Sequence, residues 1–179
     1  MTSRPQADDH LSEKRSEPPT AGDEWTILAG FLDFHRQTLL LKCAGLTPEQ
    51  LLLRATPPST LCLLGLVRHL TEVEYGWLVE RFAGGEDKAL YGPGDADFEV
   101  VEADEQSVAA AFALYAQQVA ESRQLVAGAA LDAMTAAAHP RTGEHFSLRW
   151  ILVHLIEEYA RHNGHADLLR EAIDGVTGR

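Results

Sequence analysis

His154, Glu158, His162 and His165 are spaced four, four and three residues apart near the C-terminal end of the chain. At about 100° per residue they fall within an arc roughly 80° wide on a helix. Ile151, Leu155, Leu169 and Ile173 lie in or beside the same arc, and Leu148, Leu152 and Tyr159 extend it on one side. The stripe is therefore expected on a buried face. A carboxylate and several imidazoles lose hydration there, at a cost of several kcal/mol per ion unless a partner compensates. A divalent cation is one such partner. Glu158 and His162 are neighbours at i, i+4, and His69, with Cys62, Leu66, Val73 and Trp77 around it on the helical wheel, offers a third donor from another segment. Two histidines and one carboxylate would leave coordination positions open for water or substrate, as in catalytic sites. The plainer alternatives are a buried carboxylate–imidazole hydrogen bond, a backbone-satisfied His69, or a polar stripe along a dimer seam. His35 and His145 read as surface or loop histidines, and Glu72, Glu74 and Glu80 as a solvated charge run. Cys62, in apolar surroundings, reads as an inert thiol with a raised pKa.

Four long helical segments position these residues. The first runs from Glu24 to about Leu46, where Gly45 and Pro48 offer a stop. The second is expected to start at Ser59 or Thr60, after Pro57 and Pro58, and to end at Gly84 and Gly85. Residues 86–104, rich in Gly, Pro and Asp, form a connection longer than most loops, placed to cover a site. The third segment spans about Glu105 to Ala130, with Val108, Phe112, Tyr115 and Val119 as its apolar seam, and the fourth spans Ser147 to Asp174. No strand-type alternation is evident, so the expectation is an all-α helix bundle over residues 24–179, preceded by a polar, flexible tail at residues 1–23.

The 179 residues carry 15 Lys and Arg against 27 Asp and Glu, a formal charge of −12. That balance argues against a wide phosphate-neutralising face for nucleic acid and against adhesion to anionic membranes. Two cysteines make no disulfide framework, and no apolar run approaches the ~18 residues of a membrane span. A cytoplasmic protein is expected, and pairing through helix faces would give a homodimer, since two-fold dimers are the commonest soluble oligomers. Phosphate-binding glycine loops, the GxSxG elbow and HExxH are absent from the sequence.

Leu66-Val67-Arg68-His69-Leu70 followed by Trp77, and the run from His154 to His165, together resemble the DinB/YfiT-like superfamily. Pro57-Pro58-Ser59-Thr60-Leu61 and Ser147-Leu148-Arg149-Trp150 are similar to its actinobacterial branch, DUF664. The resemblance covers about Glu24 to Gly175. It implies a four-helix bundle with up-down-down-up connectivity, and a divalent metal held by one His of the second helix and two residues four apart on the fourth. Many members end that motif His-x-Gly-Gln. Here His162-Asn163-Gly164-His165 aligns with it, which places the first ligand on Glu158, as in the related mycothiol-dependent maleylpyruvate isomerases. The implied ligands are His69, Glu158 and His162, with His165 and His154 behind them or His165 as an alternative ligand. The implied ion is zinc, nickel or ferrous iron, since these donors suit all three. The implied chemistry is a low-molecular-weight thiol such as mycothiol, activated by the metal and attacking a small electrophile. On this resemblance the chain is expected to differ from the maleylpyruvate isomerases in lacking their additional C-terminal domain. A metal-binding stress protein without turnover and a metal-dependent hydrolase are the other readings, and a cleft open to the metal would favour an enzyme.

Overall fold

The computed structural model describes residues 15–178. Four long helices carry the fold: α1 (Glu24–Cys43), α3 (Leu63–Glu74, continued as a π-helix over Tyr75–Phe82), α4 (Glu105–Val126) and α5 (Leu148–Asp174). A short α2 (Pro48–Leu52), opened by a Thr47/Gln50 capping box, lies in the first connection. Among the described residues there is no strand, only an isolated antiparallel bridge between Met134 and Ser147. No helix there is long and apolar enough to cross a membrane.

Side-chain caps fix the helix starts. Asp23 accepts from the Thr26 amide at 2.7 Å, Asp104 and Ser107 form a reciprocal box, and Ser147 caps α5. The start of α3 departs from expectation. The Ser59 hydroxyl is used locally, accepting from the Leu61 amide, and the cap is the Cys62 thiol beside the Gly65 amide. Similarly, α1 stops at Cys43 rather than Leu46, because Ala44 leaves the helical conformation and Gly45 turns the chain at φ 74°. Helix α4 ends at Val126, four residues before the expected end.

Paired contacts give the helix directions. Glu24 meets Arg149, His35 meets Asn163 and Lys42 meets Asp167, so α1 and α5 run parallel. Trp77 meets His154 and His69 meets His162, so α3 opposes α5. Asp33 meets Arg123 and the Arg36 carbonyl faces the Tyr115 hydroxyl, so α4 opposes α1. The order is therefore up-down-down-up, and the parallel α3 and α4 need a long crossover, residues 83–104. Leu39, Leu66, Leu70, Leu78, Ile151, Leu155 and Tyr159 fill the core, each fully buried.

The core also holds charge. Arg36 forks onto Glu74 through Nε and Nη2 at 2.7 and 2.8 Å, and the Tyr159 hydroxyl donates to the same carboxylate at 3.0 Å. Glu74, expected on a solvated face, is fully buried. Glu72 and Glu80 are half-buried, Glu72 accepting from the Tyr91 amide. Of the tail expected over residues 1–23, residues 1–14 lie outside those described. From Arg15 the chain lies against α1: the Arg15 guanidinium sits 3.9 Å from the Phe34 ring centroid and donates to Thr38.

Candidate metal centre

Helices α3 and α5 bring His69, Glu158 and His162 together midway along the bundle. Their ligand atoms all lie within 4.8 Å of one another. Glu158 Oε2 is 3.5 Å from His162 Nε2 and 3.8 Å from His69 Nε2. Both separations are too long for hydrogen bonds. In a tetrahedral site with bonds of ~2.1 Å, ligand atoms stand about 3.4 Å apart, close to both values.

The crossover determines which face His69 offers. Asp97 Oδ2 is 2.8 Å from His69 Nδ1, so that nitrogen carries the proton and donates. The other ring nitrogen, Nε2, then faces Glu158. On the Glu158 side, Arg161 Nη2 binds Oε1 at 2.6 Å and leaves Oε2 buried with no hydrogen-bond partner. A ring nitrogen and an orphaned carboxylate oxygen thus face each other in a half-buried place, and a cation between them would satisfy both. The donor set fits a divalent ion of the zinc, nickel or ferrous type.

The surrounding groups support that electrostatic arrangement. Burial, then the neighbouring His69 and His165, push the His162 imidazole down to about 4 against the opposing pull of Glu158. His162 is therefore neutral, the form that ligates. Burial also lowers His154. Burial raises the Asp97 carboxyl, but the hydrogen bond and charge of His69 outweigh it and hold the group below its ordinary value. Phe98 stacks on His69 with centroids 4.3 Å apart, covering one face of the ring.

The remaining expected residues fall around this group. His165 Nδ1 stands 3.3 Å from His162 Nδ1, on the nitrogen turned away from Glu158. His154 Nε2 is 3.6 Å from Glu158 Oε1, the oxygen that Arg161 holds. His35 contacts Asn163 and His145 contacts Thr135; neither reaches the group. Cys62 is buried with its thiol raised, chiefly by burial. Asp97, Phe98 and Arg161 were not singled out by the sequence. The length of the 86–104 connection was the signal for the first two, and the i+3 spacing from Glu158 for the third.

An up-down-down-up bundle with this His–Glu–His cluster between its second and fourth long helices is a DinB/YfiT-like protein. Residues 27–175 match the family model described as Mycothiol-S-transferase, and the chain belongs to that family. The crystal structure of a conserved protein from Enterococcus faecalis shares the fold at a TM-score of 0.60 and 17% identity, covering 87% of this chain and 100% of that one. A comparison with curated protein sequences gives no match.

Proposed function

We propose that the protein is a metal-dependent thiol S-transferase, holding one divalent cation through His69, Glu158 and His162 and joining a mycothiol-type thiol to a small electrophile. The observation that carries this reading is the buried, partnerless Glu158 Oε2 facing two imidazole nitrogens. Membership of the Mycothiol-S-transferase family supports the thiol. Zinc is the first candidate, with nickel or iron suited to the same donors. A bound cation would lower the pKa of a ligating thiol so that thiolate is available near neutral pH.

The protein's own residues prepare that event. Asp97 fixes the tautomer and orientation of His69, Arg161 holds Glu158 so that Oε2 points inward, and Phe98 keeps bulk water off one face of His69. In the transfer itself, the thiol proton passes to solvent and the sulfur pair forms a C–S bond. With a haloarene the carbon–halogen bond breaks, and halide leaves with the bonding pair. Buried, unpaired Cys43 and Cys62 suit a protein working in a reducing cytoplasm.

Elemental analysis of protein purified without a His tag, followed by conjugation of mycothiol to 1-chloro-2,4-dinitrobenzene, tests the reading. We expect about one ion per chain and turnover that chelator abolishes. One ion per chain without turnover would leave a metal-binding protein that is not a transferase. Absence of the ion under metal-replete expression would remove the centre.

A further inference from the structure

Alongside the centre lies an aromatic cluster that the transfer chemistry above does not use. The His154 imidazole, 3.6 Å from Glu158 Oε1, stacks on Trp150 with centroids 5.0 Å apart and planes inclined by 21°. Trp77, on the π-helical end of α3, meets the His154 ring at 4.8 Å and 68°, and Phe146 packs on Trp150 at 4.4 Å. The two His154 pairs are the stacked and edge-to-face arrangements that aromatic rings prefer, and the Phe146 ring is tilted by 37° against Trp150. Yet the cluster does not close on itself. Trp150 is 43% exposed, while Leu148, Ile151 and Leu152 on the same helix are buried to 2% or less. The core therefore does not require an indole at this position, and a large apolar ring is held at the surface by partners that fix its plane.

We propose that Trp150, braced by Phe146, Trp77 and His154, is the platform on which the electrophile lies, and that it selects planar, electron-poor aromatic acceptors. The platform is continuous with the candidate centre, because His154 belongs to both: one edge faces Glu158 and one face lies on Trp150. A flat ring on the exposed indole would sit one side chain from the place where the thiol is activated. The indole face carries the negative side of its quadrupole, so it favours rings depleted of electrons by nitro or similar groups over saturated rings of equal size. The inference rests on the transferase reading for its biological meaning but not for its test.

The test is equilibrium dialysis of 1,3-dinitrobenzene, which has no leaving group, against the full chain in chelator and without thiol. Wild type should bind it at one site, and should bind nitrocyclohexane about tenfold more weakly. Trp150→Ala and Trp150→Leu should each weaken dinitrobenzene binding about tenfold, Trp150→Phe should retain most of it, and Trp25→Phe, remote from the cluster, should not change it. Circular dichroism melts of each variant confirm the fold, which an exposed position leaves intact. Equal binding by Trp150→Leu and Trp150→Phe would overturn the proposal, because the site would then be merely apolar. So would a two-chain species in light scattering that Trp150→Ala dissolves, since the indole would then be a contact between copies. Failure of dinitrobenzene binding with conjugation intact removes the platform alone, whereas binding without conjugation refutes the transferase.

Discussion

Asp97 offers the sharpest quantitative check on the centre. It touches no candidate ligand atom and acts only through the 2.8 Å bond to His69 Nδ1. Removing a group that orients a metal-ligating imidazole typically costs about 10–100-fold in metal affinity. At a zinc concentration about 1,000 times the wild-type dissociation constant, binding stabilises the native state by about 4.1 kcal/mol. For a chain of this length that raises the melting temperature by about 8–16 °C. In Asp97→Ala at the same zinc concentration, the stabilisation should fall to roughly 1.4–2.7 kcal/mol, a rise of about 3–11 °C. Asp97→Asn keeps an acceptor without the charge and should lie between them. Each variant is melted with chelator and with zinc, so any effect on the metal-free fold cancels in the difference. If Asp97→Ala shows the full wild-type rise, the carboxylate does not tune His69, and the argument that it turns Nε2 toward a metal fails with it.

Glu158→Gln should abolish the zinc-dependent rise altogether, since the orphaned oxygen supplies the site's only formal negative charge; a retained rise would take the carboxylate out of the ligand set. Arg36→Met should destabilise the fold by about 3–5 kcal/mol in urea titrations, because it strands the fully buried Glu74 carboxylate, and adding Glu74→Leu should recover most of that loss. Cys43, pushed up to about 12 by burial, and Cys62, also raised, should resist 5,5′-dithiobis(2-nitrobenzoic acid) in native protein and both react in urea. Native labelling within minutes would contradict their packing.

The long helices and the grouping of the α5 side chains were legible because helical spacing reports directly on faces. His154, Glu158 and His162 at intervals of four must share a side of α5, and the apolar residues around them indicate burial. Glu74 shows the limit of that logic. Beside Glu72 on α3 it reads as part of a charge run, and its burial is made possible by distant partners, Arg36 38 residues earlier and Tyr159 85 residues later. Asp97 fails to signal for a similar reason, standing 28 residues from His69 in an aperiodic segment where position along the chain says little about position in space. The start of α3 was misplaced by two or three residues, because a local turn consumed the Ser59 hydroxyl and left the Cys62 thiol to cap the helix.

The parallel pairing of α3 and α4 has a consequence for the order in which the molecule assembles. A hairpin would set neighbouring helices side by side early, but here the chain must first complete the crossover before Asp97 can reach His69. His69 and Glu158 are 158 − 69 = 89 residues apart, so their meeting waits for α5, the last helix, to dock. The candidate centre therefore cannot form before α5 has docked on α3. A metal ion added to the unfolded chain would gain little from these residues, and its tight uptake would mark the docking of α5 on α3.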